Sequence, residues 1–131
     1  MEVSMVVVTR QRPVRAVVID DTRDIRDLLS IVLTRSGMEV VGQAGDGQAG
    51  IDVVREERPD VVLLDLAMPV MDGIEALPVI RELVPEARII VLSAFSGPVR
   101  EQVLASGADG YLEKGTPLKA IVEYLEAQVG D

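Results

Sequence analysis

The feature that most limits what this chain can fold into is a five-fold alternation of short apolar runs with longer segments of helical periodicity. Apolar runs of this length are typical of strands buried on both faces of a parallel sheet. The alternation therefore predicts an α/β fold, a doubly wound five-stranded parallel sheet with right-handed crossovers and helices on both faces. The predicted strands are Val14–Ile19, Glu39–Ala44, Val61–Leu64, Ala87–Leu92 and Ala108–Glu113.

A helix is predicted after each strand, with apolar residues three or four positions apart on its inner face. Gly37 and Gly107 end two of these helices, and Asp72 and Thr116 are predicted to cap two others. Pro78 lies within the third helix, where it predicts a kink or an early end. The predicted inward residues are Ile25, Leu28, Leu29, Val32 and Ser36, then Ile51 and Val54, then Ile74, Leu77 and Ile80, and finally Leu118, Ile121, Val122 and Leu125.

Polar residues follow four of the predicted strands at the point where each strand ends. Asp20 and Asp21 follow the first strand, Asp65 ends the third, Ser93 follows the fourth, and Lys114 follows the fifth. The carboxyl ends of parallel strands meet at one edge of the sheet, which is where ligands bind in open α/β folds. These side chains are therefore expected to form one site.

The chemistry of this group favours phosphoryl transfer. Three carboxylates in one place repel one another, and a divalent cation relieves that repulsion. Magnesium suits such a set because it takes oxygen ligands and is typically held by one or two carboxylates plus a phosphate. Asp65, at the centre of the sheet, is the predicted nucleophile, with Asp20 and Asp21 holding the metal and Lys114 neutralising phosphoryl oxygens.

Composition narrows the function classes further. The chain has no Cys and no His, which excludes disulfides, His-based catalysis and the commonest zinc sites. A net charge of -9 argues against non-specific binding to nucleic acid or anionic membranes. The run Met5–Val8 is too short to span a bilayer, and a signal-peptide cleavage pattern is absent, so a cytoplasmic protein is expected.

Residues 1–13 are predicted to be an extension that precedes a single domain at 14–131. Two interpretations remain open for it, a disordered tail or a basic docking arm built on Arg10 and Arg12. No DNA-binding segment follows the domain within the sequence, so direct nucleic-acid binding is not expected.

Taken together, these motifs resemble the response-regulator receiver domain of two-component signalling. The resemblance runs from Val14 to about Val129 and implies the flavodoxin-like (βα)5 fold. Each fragment alone is weak, but their order and their positions at the strand ends are highly specific. The matching segments are Asp20-Asp21, Asp65-Leu-Ala-Met-Pro, Asp72-Gly73, Ser93-Ala94, and Gly107-Ala-Asp-Gly110 followed by Tyr111-Leu-Glu-Lys114.

The resemblance implies a role for each of these positions. Asp65 is the phospho-acceptor, and its phosphoryl group comes from a sensor histidine kinase, a phosphotransfer protein or a small phosphodonor. Ser93 and Lys114 contact the phosphoryl oxygens. Tyr111 is the switch aromatic, which turns inward as the Ser93 hydroxyl moves toward the phosphate. The last two helices and the fifth strand form the output or dimerisation surface. The implied ligands of Mg²⁺ or Mn²⁺ are Asp20, Asp21, Asp65 and the backbone carbonyl of Ala67.

The sequence departs from the family pattern at two kinds of position. Gly115 follows Lys114, where many receivers have a proline joined by a cis peptide bond. Ala67 and Phe95 lie two residues beyond Asp65 and Ser93, at positions that influence dephosphorylation in this family. Both are apolar and cannot orient an attacking water. The chain is therefore predicted to lose its phosphoryl group slowly.

Other functions fit the sequence less well. A receiver-like module that docks without phosphorylation usually lacks one of the acids or the lysine, and this chain lacks none. A haloacid-dehalogenase-type phosphatase resembles Asp-x-Asp, but Ala67 occupies the second position here. A flavin-binding protein of flavodoxin type needs a phosphate loop that Asp20 and Asp21 would oppose. A signalling switch is therefore expected, one that acts as an enzyme only on its own phosphorylation and dephosphorylation.

Overall fold

The computed structural model describes residues 12–94 and 98–130, which form a three-layer α/β sandwich. All strand pairings are parallel, and the strand order in the sheet is β2-β1-β3-β4-β5. The predicted fold class is confirmed. The elements in chain order are β1 Arg15–Ile19, α1 Arg23–Arg35, β2 Glu39–Ala44, α2 Gly47–Glu57, β3 Val61–Asp65, α3 Gly73–Leu83, β4 Arg88–Ser93, α4 Pro98–Ala105, β5 Gly110–Glu113 and α5 Leu118–Val129.

The core lies on both faces of the sheet, because alternate residues of each central strand point to opposite sides. In β3, Val62 and Leu64 pack with helices α2, α3 and α4, whereas Val61 and Leu63 pack with α1 and α5. All five residues of β3 are buried. The strand that carries Asp65 is thus fixed from both faces, which gives its last residue a defined position.

The inner face of α1 differs from the predicted one at two positions, Leu28 and Leu33. Leu28 is 47% exposed, whereas Leu33, which the periodicity argument missed, is almost completely buried. Leu29 and Leu33 are four residues apart and lie on one line of the helix with the half-buried Ile25. Leu28 lies to one side of that line, and its prediction as an inward residue is wrong.

One prediction about a helix end needs correction, and for another the structure excludes one of two alternatives. The helix α3 continues past Pro78 to Leu83, so of the kink or early end predicted there the early end did not occur, and the proline occupies an exposed position. Thr116 does not cap α5; the residue at the cap position is Pro117, and the Thr116 hydroxyl donates back to the carbonyl of Glu113 at 2.6 Å. Asp72 does cap α3, in a reciprocal pair with Glu75.

The start of the domain is anchored at the amino-terminal edge of the sheet. The Arg12 guanidinium donates to both carboxylate oxygens of Asp60, at 2.7 and 3.1 Å, and the backbone N–H of Arg15 donates to the same carboxylate at 2.9 Å. Residues 1–11, most of the predicted extension, lie outside the described part of the chain, as does Phe95.

Candidate functional site

The sheet order brings the predicted site residues to one edge. β1, β3 and β4 are neighbours, and β5 lies next to β4, so the residues at their carboxyl ends follow one another along the edge. Asp20 directly follows β1, Asp65 and Ser93 end β3 and β4, and Lys114 directly follows β5. The strand ends that carry Asp20, Asp65, Ser93 and Lys114 therefore lie side by side, as the parallel topology predicted.

Asp65 and Lys114 form the centre of this group. Lys114 Nζ lies 3.2 Å from Asp65 Oδ1 and 3.1 Å from Asp20 Oδ2, and thus bridges the two buried acids. Asp65 Oδ2 is buried and has no hydrogen-bond partner among the described residues. Buried polar atoms are rarely left unsatisfied, and an orphaned carboxylate oxygen at a strand end marks a position for a ligand or an incoming group.

The acids are arranged so that they could share one cation. Asp20, Asp21 and Asp65 each present a carboxylate oxygen, and these oxygens all lie within 4.8 Å of one another. Asp20 and Asp65 are buried, whereas Asp21 is exposed and leaves the cluster open to solvent. An open set of oxygen donors fits Mg²⁺ or Mn²⁺, which retain bound waters. Ala67, the predicted carbonyl ligand, is an exposed residue two positions beyond Asp65.

Burial and charge shift the pKa values of both central groups. Burial raises the pKa of Asp65, and the neighbouring Asp20 carboxylate raises it further, against the opposing effect of Lys114. Burial lowers the pKa of Lys114, but its contacts with Asp20 and Asp65 outweigh this effect and leave that pKa raised. Lys114 therefore stays positively charged, whereas its charge only partly offsets the effects that make ionisation of Asp65 unfavourable.

The two predicted switch residues lie on neighbouring strands. Ser93 is completely buried at the end of β4, and its backbone carbonyl accepts a hydrogen bond from the N–H of Lys114 at 2.7 Å. Tyr111 in β5 is half-buried and packs against the core cluster on the α2, α3 and α4 face of the sheet. The structure thus connects Ser93 to the site through the main chain and leaves part of Tyr111 accessible.

The loop after Lys114 changes direction at Gly115 without a proline. No peptide bond within residues 12–94 and 98–130 is cis. Gly115 instead adopts a positive φ of 99°, which a residue without a Cβ atom reaches without strain. The chain therefore leaves the lysine through a glycine turn.

Gly73 supports Asp65 in a way that the sequence argument missed. Its N–H donates to the carbonyl of Leu66 at 2.9 Å. A Cβ atom at Gly73 would lie 2.2 Å from the backbone oxygen of Asp65 and 2.8 Å from Leu66 Cα. Only glycine therefore allows the start of α3 to pack directly beneath the end of β3. The Asp72-Gly73 pair was the available signal, but it indicated a helix cap and not this close approach.

Comparison with known proteins agrees with the geometry. Residues 16–126 match the family model described as the response regulator receiver domain. This chain belongs to that family. It is 33% identical over 112 residues to the chemotaxis protein CheY of Thermotoga maritima, covering 85% of this chain and 93% of that protein. It is also 36% identical over 126 residues to the transcriptional regulatory protein MctR of Rhizobium johnstonii, covering 93% of this chain and 58% of that protein.

Solved receiver structures share the fold over nearly the whole chain. The receiver domain of the putative response regulator NarL from Mycobacterium tuberculosis is 33% identical, with a TM-score of 0.84 over 92% of this chain and 99% of that one. A chain in the CheX-CheY-BeF3-Mg complex from Borrelia burgdorferi is 25% identical, with a TM-score of 0.86 over 92% of each chain.

The receiver family includes proteins longer than this chain. Besides MctR, this chain matches a protein-glutamate methylesterase of Azospirillum brasilense, of which it spans only 29%. Residues 16–126 of this chain match the receiver domain, which is a signalling module. None of the helices in the described ranges is long and apolar enough to cross a membrane.

Proposed function

We propose that this receiver domain is a phosphorylation-controlled switch in which Asp65 accepts a phosphoryl group from a phosphohistidine on a sensor kinase or phosphotransfer protein, or from a small phosphodonor. The observation that carries the proposal is the state of the Asp65 carboxylate. One oxygen contacts Lys114, while the other is buried and without a partner among the described residues.

The chain's own residues account for most of the transfer step. A carboxylate oxygen of Asp65 forms a bond to phosphorus as the bond from phosphorus to the donor nitrogen breaks, and the electron pair leaves with the donor imidazole. Lys114, already between Asp65 and Asp20, compensates charge on the transferring phosphoryl oxygens. A divalent cation bound by Asp20, Asp21, Asp65 and the Ala67 carbonyl would supply further positive charge and orientation at the same oxygens. The Mg²⁺ in the Borrelia burgdorferi complex supports this choice of ion.

The phosphoryl group changes the domain through Ser93 and Tyr111. The Ser93 hydroxyl moves toward a phosphoryl oxygen, and Tyr111 turns from its half-exposed position into the space beside β4. The surface formed by α4, β5 and α5 then presents a different shape to a downstream protein or to a second copy of the domain. The position of Ser93 at the buried end of β4, beside the partly accessible Tyr111 strand, supports this sequence of events.

Intact-mass spectrometry tests the proposed acceptor. The wild type, incubated with acetyl phosphate and MgCl2, is expected to gain one phosphoryl group, and chelation of the metal is expected to abolish the gain. Asp65→Asn is expected to remain unmodified. Asp72→Asn is the matched control, because asparagine is also a good helix cap and the variant should still be phosphorylated.

The other results of the same experiment are also informative. An unmodified wild type that also fails to bind Mg²⁺ would contradict the proposal and favour a docking module that acts without phosphate. An adduct that persists in Asp65→Asn would place the acceptor at another residue. If Mg²⁺ binds without an adduct, a phosphohistidine donor replaces acetyl phosphate in the same comparison.

A further inference from the structure

We propose that Arg26 is a positioning residue of the metal site, which orients Asp20 and Asp21 by holding the main-chain carbonyl between them. The inference rests on the proposed Mg²⁺ binding. Arg26 is a half-buried residue near the start of α1. Its Nη1 donates to the carbonyl oxygen of Asp20 at 2.7 Å, and its Nε donates to Gln43 Oε1 at 3.3 Å.

Asp20 is held by a different neighbour at each of its polar groups. Its N–H donates to the carbonyl of Ala44 at 3.0 Å, and its Oδ1 accepts from the N–H of Thr22 at 2.9 Å. Its Oδ2 contacts Lys114 at 3.1 Å, and its carbonyl oxygen accepts from Arg26. Arg26 thus supplies the fixed point on the carbonyl side of the residue, where the chain continues to Asp21.

The orientation of Asp21 depends on the hydrogen bond from Arg26 more than that of Asp20 does. It is exposed, and its side chain accepts a long hydrogen bond of 3.4 Å from the Thr22 hydroxyl. The carbonyl oxygen of Asp20 and the nitrogen of Asp21 belong to one planar peptide unit. Fixing that oxygen therefore fixes the direction in which Asp21 leaves the turn, and with it the place where its carboxylate meets the cluster.

The guanidinium is itself held in place by its surroundings. Gln43 in β2 accepts from Arg26 and donates from its own Nε2 to Ser30 Oγ in α1 at 2.9 Å. A Cβ atom at Gly45 would lie 3.2 Å from Arg26 Nη1, so the guanidinium fills the space beside that glycine. The planar group suits two acceptors in fixed directions, which a lysine ammonium would not match.

The charge of Arg26 and its positioning role have opposite effects on cation binding. A guanidinium near three carboxylates repels an incoming Mg²⁺, so removing that charge alone should tighten binding. Removing the hydrogen bond to Asp20 should loosen the ligands and weaken binding. The sign of the change in affinity therefore separates the two effects.

Isothermal titration calorimetry with Mg²⁺ on the whole chain measures this sign. Arg26→Met is expected to raise the dissociation constant about tenfold, as removal of supporting residues around metal ligands typically does. Arg23→Met is the matched control, since Arg23 is in the same helix with an 83% exposed side chain and, among the described residues, a single long ion pair with Asp27 at 3.8 Å. The control is expected to bind Mg²⁺ as tightly as the wild type or slightly more tightly. Arg26→Lys should fall between Arg26→Met and the wild type.

Equal affinity in Arg26→Met and Arg23→Met would overturn the positioning role. A metal-free measurement gives a second test, because the Thr22 amide is bonded to the Asp20 carboxylate. Its hydrogen exchange, compared with that of Val62 in β3 as a reference for global unfolding, is expected to speed up several-fold in Arg26→Met and to stay unchanged in Arg23→Met. Unchanged exchange in both would also overturn it.

These readouts separate this inference from the proposed function. If the wild type fails to bind Mg²⁺, the proposed function fails, and exchange at Thr22 alone then decides whether Arg26 positions Asp20. If the wild type binds Mg²⁺ and the two methionine variants behave alike, only the role of Arg26 fails. Should Arg26→Met not fold, Arg26→Lys provides the same comparison with the charge retained.

Discussion

The carboxylate of Asp65 lies where ionisation is unfavourable for the fold. Burial, and then the charge of Asp20, raise its pKa above the ordinary value of 3.8, despite the opposing Lys114. A carboxyl group whose pKa is higher in the folded than in the unfolded chain destabilises the fold when ionised. The destabilisation is fully present above the folded pKa, declines as the pH falls through it, and is absent below 3.8.

We therefore expect Asp65→Asn to be more stable than the wild type at neutral pH without metal. The amide removes a buried charge and its repulsion with Asp20, and Lys114 keeps its ion pair with Asp20. A gain of about 1 kcal/mol would raise Tm by roughly 3–5 °C for a domain of this size. The gain should shrink as the pH falls through the raised pKa of Asp65. Thermal unfolding in chelator across this pH range measures it.

Glu56→Gln is the control for this comparison, since it removes one negative charge from an exposed position on α2. An increase in Tm of the same size in both variants would mean that net charge, and not the environment of Asp65, is responsible. A loss of stability in Asp65→Asn would contradict the account directly.

Ala67 bears on how long the phosphoryl group lasts. Its methyl side chain is exposed two residues beyond Asp65 and has no group that can orient a water for attack on phosphorus. We expect Ala67→Asn to shorten the lifetime of the phosphorylated protein by up to about a hundredfold, the lower end of what a positioned polar group contributes in general acid–base catalysis. The decay of the intact-mass adduct after removal of donor measures this lifetime. Ala67→Val, which adds bulk without polarity, should leave it near the wild-type value.

At the residue scale, the sequence predicted which polar side chains meet, because strand ends and parallel topology determine that grouping. It did not predict the hydrogen bond of Arg26 to Asp20 or the close packing at Gly73. Arg26 contacts a backbone carbonyl. Gly73 allows close packing, because a Cβ atom at this position would lie 2.2 Å from the backbone oxygen of Asp65. Such contacts depend on packing distances, which no periodicity or motif expresses.

At the scale of elements, the junction between β3 and α3 connects the fold to the site. Replacing glycine by alanine within a helix normally stabilises it by up to about 1 kcal/mol. At Gly73 the added methyl would meet the backbone of Asp65 and Leu66, which cannot move aside without displacing the acceptor. We expect Gly73→Ala to destabilise the domain by roughly 1–3 kcal/mol, as backbone shifts and overpacking do.

Urea unfolding and Mg²⁺ titration of Gly73→Ala test this expectation together. Both the unfolding midpoint and the affinity for Mg²⁺ should fall, because the same shift moves the Asp65 carboxylate. A more stable variant, which helix propensity alone predicts, would show that α3 can move away from β3 freely.

The elements themselves were largely predictable, and their errors have physical causes. The inner face of α3 agrees with the prediction at Leu77 and Ile80, whereas the inner face of α1 was displaced toward Leu28, since several adjacent apolar residues satisfy the same spacing. Pro78 lies on the solvent side of α3, where the helix accommodates it. Thr116 bonds to Glu113 in the preceding turn, a local competitor of helix capping.

For the molecule as a whole, we expect stability to depend on divalent cations, because the chain has a net charge of -9 and three of its carboxylates could share one cation. Any ligand that binds only the folded state stabilises it by mass action. We expect Mg²⁺ at about 100 times its dissociation constant to stabilise the wild type by about 2.7 kcal/mol. Thermal unfolding with and without MgCl2 measures the effect. Asp21→Asn should lose most of it, whereas Asp52→Asn, at an exposed position on α2, should retain it.

Chemical trapping shows which residue carries the phosphoryl group, which we propose to be Asp65. Borohydride reduces an acyl phosphate to an alcohol, so a phosphorylated aspartate becomes homoserine, which peptide sequencing by tandem mass spectrometry can locate. After treatment with acetyl phosphate and MgCl2, we expect homoserine at position 65 and at no other acidic residue. Homoserine at position 20 or 21, or none in a protein whose intact mass shows the adduct, would contradict this expectation.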